Sequence, residues 1–449
     1  KFMPGVELDY VQADARGVRL RGMDPQYVNV TMDGVKLASA DAFGATVGTE
    51  NNGTEGSRAF GFESVSLSSV DSIEVFKTLT SDMDADAPAG TINLRSKRAF
   101  DRAGRRVLWQ VTLSGNSEEL HFDRTFGPGD NRHYKIRPGG IFEYSDVFLN
   151  KRLGVVFNLT RSDVYNEQYF FRTTINRQTL TTDTRTAIPT QIQYVDSPKL
   201  TERLTGTLTI DYKASARLNF GLTTTVSKYE ATTNEHAVTL NLAANNTGAT
   251  GRNTVLGDDP MLRFETSPHA GSNITLGGTG FVKLTDSVTF APRFDYKPFD
   301  KLLIEGRFSH SYSNNDYEGL ARGQARQANL NSISGTSGLV FQGERPSIDS
   351  SHWKISQISG PDWSNLANFT RPQVNDEGRL DINKVASGRI DATLRIGYKW
   401  LNFLKTGFKV SEESRDFRDE RNWNQWEYIG PGGAIAGQPN TGSWVDYPG

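Results

Sequence analysis

The sequence contains no cysteine, which excludes disulfides and thiolate metal sites. No stretch approaches the roughly 18 apolar residues of a membrane-crossing helix. Apolar residues make up only 36% of the chain, against about 45–50% in ordinary globular domains. Neither sign of charge dominates: 50 Lys and Arg face 52 Asp and Glu, for a formal net charge of −2. Whole-chain attraction to nucleic acid is thereby excluded. Recognisable catalytic motifs are also missing: there is no Gly-x-Ser-x-Gly, no His-Glu-x-x-His and no phosphate-cradling loop. The six histidines are scattered. No enzyme activity, cofactor or metal is therefore expected. What remains is a soluble β-protein or a membrane barrel, whose alternating strands evade hydropathy analysis. The opening Lys1-Phe2-Met3-Pro4-Gly5 has no signal-peptide core, and Tyr447-Pro448-Gly449 closes no strand. The chain is expected to be an internal piece of a longer protein.

What the chain does have is a period of two. From Val107 onward, apolar and polar residues alternate in segment after segment. Leu204, Leu208, Ile210 and Tyr212 alternate with Thr205, Thr207, Thr209 and Asp211. Val288, Phe290, Phe294 and Tyr296 oppose Thr289, Arg293, Asp295 and Lys297, and Ile390, Ala392, Leu394 and Ile396 oppose Asp391, Thr393 and Arg395. About nine such strands are expected. A soluble sandwich also alternates, so two further features decide. The connections alternate in length: tight turns at 148–152, 213–217, 298–301 and 399–402 lie between long polar stretches. Short turns at one end and long loops at the other mark an outer-membrane barrel. Aromatics also gather at strand ends, with Trp109, Tyr212, Tyr296, Phe299, Tyr398, Trp400 and Phe403 placed for interfacial girdles. The competing soluble protein, a secreted glycan-binding or glycan-cleaving one, needs the opposite orientation. Its Leu, Val and Phe side chains must meet in a dry centre.

The first hundred residues read differently. Val18 and Leu20 precede Arg21-Gly22, and Met23-Asp24-Pro25 is read as the chain reversal. Val28, Val30 and Met32 then alternate up to Asp33-Gly34, a strong hairpin signal. Arg21-Gly22, Val28 to Val35 with its Asp33-Gly34, the Ile73-Glu74-Val75-Phe76-Lys77 strand and the closing Ala89-Gly90-Thr91-Ile92-Asn93-Leu94 strand occur in order. Together they resemble the plug domain of TonB-dependent outer-membrane transporters. Thr78 and Ala89 stand where that family commonly has glycine.

The resemblance implies a mostly β protein: an antiparallel transmembrane β-barrel, present in part, around an N-terminal α+β plug. The expected domains are a plug over residues 1–97, a basic linker over 98–106 on the periplasmic side and barrel over 107–449. A short helix is expected near residues 60–69, and residues 38–57 are an apical loop within reach of ligand. About nine strands cannot enclose a plug, since plugged transporters have about 22 and open edges are not viable in hydrocarbon. Arg21, Gly22, Asp33, Gly34, Glu74, Lys77, Gly90 and Asn93 are the plug-motif residues. The implied partners are TonB with its proton-driven inner-membrane complex, outer-membrane lipid and lipopolysaccharide, a small-molecule or oligosaccharide ligand and a surface lipoprotein; nucleic acid is not among them.

The implied activity is TonB-dependent uptake across a bacterial outer membrane. For ligand, a carbohydrate is favoured. Trp353, Trp363, Trp423 and Trp426 fall in long loops or beyond the last strand, where indole faces stack on sugars or pack the loops. Asp82, Asp84 and Asp86 resemble the acidic variant of glycan-importing branches. Their spacing also starts like a calcium loop, but Ala87 and Asn93 break that pattern. A ferric siderophore is the alternative, with Arg322, Arg326 and Arg345 as anion-capturing candidates.

Overall fold

The computed structural model describes residues 3–11, 14–41, 59–64, 70–78, 83, 87–101, 104–117, 120–125, 134–176, 188–242, 259–318, 327–350, 352–398, 400–429 and 443–447. Among the described residues the elements are strands and short 3-10 turns, with no α-helix. The helix expected near residues 60–69 is a 3-10 turn at Phe62–Ser64 in its described part.

The described residues of the N-terminal domain hold six strands: β1 Val6–Val11, β2 Asp14–Leu20, β3 Val28–Met32, β4 Val35–Lys36, β5 Val70–Phe76 and β6 Gly90–Ser96. β1 and β2 form a separate antiparallel ribbon, while the main sheet runs β4-β3-β6-β5. The segment around Val18 and that around Val30 are therefore not partners; β3 pairs in parallel with β6, Val30 opposite Ile92. The chain reverses one step earlier than expected, at Arg21-Gly22, where Met23 N donates to Leu20 O at 3.1 Å. Asp24 instead caps the 3-10 turn Pro25–Tyr27 by accepting from Gln26 N at 3.0 Å. Asp33 and Gly34 both have positive φ, 50° and 83°, as the two-residue hairpin between β3 and β4 requires. Val18, Leu20, Val28, Val30, Met32, Ile92 and Leu94 close an ordinary dry core.

Sixteen further strands follow: β7 Arg106–Ser114, β8 Arg137–Phe148, β9 Leu153–Asn166, β10 Tyr169–Asn176, β11 Ile188–Asp196, β12 Lys199–Lys213, β13 Leu218–Leu242, β14 Arg263–Glu265, β15 Ser272–Phe299, β16 Leu302–Glu318, β17 Gln327–Ser334, β18 Val340–Glu344, β19 Lys354–Ser359, β20 Thr370–Tyr398, β21 Leu401–Ile429 and β22 Ser443–Tyr447. Nine of them form one continuous antiparallel wall in the order β7-β8-β9-β12-β13-β15-β16-β20-β21, and β22 extends it. Among the described residues the wall is open, as the expected strand number dictates. Its hairpins turn tightly at Phe148–Leu153, Lys213–Asn219, Phe299–Leu302 and Tyr398–Leu401.

The wall is inside out. On β12, Thr205, Thr207, Thr209 and Asp211 are buried while Leu204, Leu208 and Tyr212 are exposed. The same holds for buried Thr289 and Arg293 against exposed Val288, Phe290 and Tyr296 on β15. The apolar face thus points away from the enclosed domain, the reverse of a soluble protein. Its outward apolar run on β12, Leu204 to Tyr212, covers about 30 Å of strand at roughly 3.3 Å per residue. With the usual tilt of about 35–45°, that gives the roughly 25 Å apolar band of a membrane barrel. Charges end the band on the loop side: Glu202 on β12, Lys228 on β13, Asp286 on β15 and Lys384 on β20. Phe148, Tyr212, Tyr296, Phe299, Tyr398, Trp400 and Phe403 are exposed at the tight-turn end, where an aromatic girdle belongs.

β13, β15, β20 and β21 span 25 to 29 residues, far beyond the roughly 9–11 needed to cross a bilayer. Above the band, the same outward face is covered by protein. Leu240 and Leu242 share strand parity with Val226, and Ile274 with Val288. They pack with Ile192 and Ile333 against Phe264, Leu339, Phe341, Trp353 and Phe369. Those residues belong largely to a small sheet, β14-β18-β19, and its flanking loops.

Candidate functional site

Two polar clusters join the N-terminal domain to the wall. In the first, Arg16 of β2 reaches Glu63 at 3.0 Å and Asp41 at 3.3 Å. Lys283 of β15 comes from the wall to the same two carboxylates, 3.4 Å from Asp41 and in direct contact with Glu63. The Tyr317 hydroxyl on β16 accepts from Arg16 at 3.4 Å. Two cations and two carboxylates are thus buried together, which keeps the group neutral in a site that would not tolerate a lone charge. Burial by itself would raise the Glu63 pKa, but Arg16 and Lys283 outweigh it and hold the carboxyl well below the usual carboxylate range.

The segment leading into this cluster lies along the wall as an unpaired edge. Ala38 N donates to Ser311 Oγ at 3.0 Å, Ala40 N to Ser313 Oγ at 3.2 Å and Asp41 N to Asp381 Oδ2 at 2.7 Å. Asn383 Nδ2 donates to Ser39 O at 3.0 Å. Arg415 clamps Asp381 through both carboxylate oxygens, at 2.8 and 2.5 Å. Serine, asparagine and aspartate side chains of the wall therefore satisfy backbone groups that have no sheet partner. Residues 42–57, the rest of the apical loop, lie outside the described residues.

The second cluster holds the motif residues. Asn93 Oδ1 accepts from Thr31 Oγ1 at 2.9 Å and Gly34 N at 2.8 Å, and Asn93 Nδ2 donates to Glu74 at 2.9 Å. Asp33 accepts from Ser96 Oγ at 2.5 Å and lies 3.6 Å from Arg293 of the wall. Arg293 also binds Asp211 and donates to Thr223 at 2.9 Å. Arg21 donates to Pro88 O at 2.8 Å, and Lys77 bonds Pro4 O. Gly90 has φ +131°, and a Cβ there would sit 2.3 Å from Phe76 O. Gly22 has φ +73°. Chemically, these residues brace the sheet. Asp33, Gly34, Glu74 and Asn93 also line a cavity of about 460 Å³ between the sheet and wall residues Arg307, Arg389 and Lys409.

Of the described loop tryptophans, Trp353 and Trp363 pack in one apolar cluster and Trp426 stands on the wall. Trp353 is 4% exposed. Its Nε1 donates to Thr173 at 3.1 Å, Arg345 lies 4.6 Å over its ring and Phe264 is 5.1 Å away. It serves as the anchor of the β14-β18-β19 layer, with no face open to ligand. Half-buried Trp363 packs on Phe341 at 6.1 Å. Trp426 stands on β21, opposite Val374. The Trp423 side chain lies outside the described residues, as do Asp82, Asp84, Asp86, Arg322 and Arg326. Arg345 is engaged by backbone carbonyls, donating to Met261 O before β14 at 2.5 Å and to Ser350 O in its own loop at 3.2 Å.

Sequence reasoning missed the Arg16–Asp41–Glu63–Lys283 cluster and a row of amides across the outer wall. Gln191 Nε2 donates to Asn241 Oδ1 at 2.9 Å, Asn241 Nδ2 to Asn273 Oδ1 at 2.8 Å, and Gln193 Nε2 to Thr239 at 3.3 Å. Asn241 and Asn273 share parity with Thr223 and Thr289, so the row sits on the interior face of the wall.

Residues 1–91 match the family model described as the TonB-dependent Receptor Plug Domain. No curated protein matches the chain. Among solved structures, the outer membrane transporter YddB from Escherichia coli is similar over 94% of this chain and 80% of its own, at 10% identity and TM-score 0.32. BauA, the ferric preacinetobactin receptor from Acinetobacter baumannii, is 12% identical over 99% of this chain and 62% of its own, with TM-score 0.28. The hemophore receptor HasR from Serratia marcescens, solved with its hemophore and heme, is 10% identical over 94% and 77%, with TM-score 0.27.

Proposed function

We propose that this chain, whose residues 1–91 match the TonB-dependent receptor plug domain, is part of a TonB-dependent transporter of the bacterial outer membrane and that its imported ligand is a neutral carbohydrate or oligosaccharide. The observation that carries this reading is the uncharged amide and hydroxyl row Gln191, Gln193, Asn241 and Asn273 on the interior face above the membrane band. Paired amides present both donors and acceptors, which suits vicinal hydroxyls and offers no net charge to an anionic ferric chelate. Arg345, the described candidate for anion capture, is committed to backbone carbonyls of Met261 and Ser350.

In this reading ligand collects in the vestibule walled by β11, β13 and β15. TonB, driven by the inner-membrane proton gradient, then works on the plug from the periplasmic side and loosens its contacts with the wall. The plug meets the wall through hydroxyls, amides and ion pairs rather than a shared apolar core, so water can replace each contact as it opens. A surface lipoprotein cooperating at the outer mouth belongs to the same proposal.

The test is calorimetric titration of the full-length protein with oligosaccharides and with ferric siderophores. Oligosaccharide binding that Asn241→Ala weakens about fivefold, the loss of one hydrogen bond of about 1 kcal/mol, supports the reading. Binding of ferric chelates alone would replace it with siderophore uptake.

A further inference from the structure

The two ends of the apolar band differ in charge. At the loop end Glu202, Lys228, Asp286 and Lys384 mix both signs. At the tight-turn end the residues are almost all cationic. The first turn carries Lys151 and Arg152, the second Lys213 and Arg217, the third Lys297 and Lys301. All are exposed except half-exposed Lys213. Among the described residues three acids stand near them, Asp101 in the 3-10 turn Ala99–Asp101, Asp300 in the third turn and Asp146 on β8, and Asp146 is occupied by the Tyr144 hydroxyl at 3.0 Å and Val147 N at 2.8 Å.

Several of these cations are fixed in place. Arg152 donates to the next turn at Lys213 O, 3.0 Å, and Ala214 O, 2.7 Å, and its guanidinium lies 5.5 Å from the Tyr212 ring. Arg217 repeats the stitch to Pro298 O at 2.8 Å. Lys213 sits 3.9 Å over Phe100, in the 3-10 turn Ala99–Asp101. Successive turns are two strands apart, about 10 Å at the usual strand spacing. The result is a row of cations, Arg152 and Arg217 among them held by the neighbouring turns, directly continuous with exposed Tyr212, Tyr296 and Phe299. Aromatics at that depth sit at headgroup level, which puts the exposed turn cations Lys151, Arg152, Arg217 and Lys301 at the height of lipid phosphate.

We infer that the tight-turn rim is a binding surface for anionic glycerophospholipid headgroups in the periplasmic leaflet. The inference rests on the wall's place in the membrane and is independent of the imported ligand. The chemistry is phosphate recognition by guanidinium and ammonium donors. Held side chains lose little freedom on binding, and the row engages several lipids at once.

The test uses the full-length protein in neutral detergent, with equal amounts of phosphatidylglycerol and phosphatidylcholine added, and counts lipid adducts by native mass spectrometry. Phosphatidylglycerol should be retained preferentially. Lys151→Asn, Lys297→Gln and Lys301→Gln remove charge without touching the stitched arginines, and Asn suits the positive φ of 63° at position 151. Each should reduce that preference about fivefold, from about 1 kcal/mol per cation. Lys297→Arg should keep it. Lys228→Gln with Lys384→Gln, at the opposite boundary, should leave it unchanged. Equal retention of the two lipids, an equal loss in the opposite-boundary control, or full preference in a folded triple variant would each overturn the inference. The last result would leave the rim to an acidic protein partner in the periplasm.

Discussion

The plug and the wall are built from the same alternation and turn it in opposite directions. In the plug, Val28, Val30 and Met32 lie beside Ile92 and Leu94 in one sheet and pack with Val18 and Leu20 in a dry centre. In the wall, Leu204, Leu208, Phe220 and Phe290 face outward, and Thr207, Thr223, Arg293 and Asp391 are the buried side. What differs is the solvent on each side, not the pattern. A plug surrounded by wet polar groups must hide its apolar residues from them. A wall surrounded by acyl chains must present its apolar residues and keep polar groups for the lumen. A third case lies on the wall itself: above the membrane band the outward face of β13 and β15 loses its lipid, and Leu240, Leu242 and Ile274 are covered by β14, β18 and β19 instead.

The sharpest way to break the boundary between plug and wall is Glu63→Gln. It leaves Arg16 and Lys283 with one carboxylate between them. Removing one partner of a buried ion cluster costs about 3–5 kcal/mol, so the plug should become susceptible to protease at much lower urea in the full-length protein while the wall stays folded. Acid should act on the same contact. Because the folded-state pKa of Glu63 lies below its unfolded value, its contribution is complete above the ordinary glutamate value of about 4.3 and is lost as pH falls through the depressed one. Plug docking should be flat from pH 8 to about 5 and weaken below, and Glu63→Gln should remove that acid limb.

Leu94→Ala separates the two solvents. Leu94 is fully buried in the plug core, and truncation there should cost about 2–5 kcal/mol by transfer and cavity terms. Leu208→Ala on the lipid face should cost clearly less in chemical denaturation from bilayers, because lipid tails are as apolar as leucine and can fill the space. Reversing the chemistry makes the wall position the sensitive one: Leu208→Lys should cost about 2–4 kcal/mol near mid-membrane. The smallest effect is expected for Lys36→Ala. Its 2.9 Å bridge to Glu413 joins plug and wall but is water-accessible, and such pairs contribute about 0–1 kcal/mol. A loss above 2 kcal/mol there would mean the whole plug surface, not its buried cluster, holds it in the wall.

Legible in the residues alone were the period of most wall strands, the tight turns, the motif order of the plug and the separation of an aromatic end from a loop end. These are local properties: side-chain alternation follows from strand geometry, and Asp33-Gly34 selects its turn through backbone conformation alone. Tertiary structure decided which face meets lipid, that β3 pairs with β6 rather than with the strand before it, and that Trp353 anchors a layer instead of offering its ring. It alone brought Arg16, Asp41, Glu63 and Lys283 together across 267 positions of chain. No local rule relates residues so far apart, because their meeting depends on where each strand lies in the wall and on how much water the neighbours leave. The same reason explains the amide row, in which Gln191, Asn241 and Asn273 are unremarkable polar residues until register places them side by side.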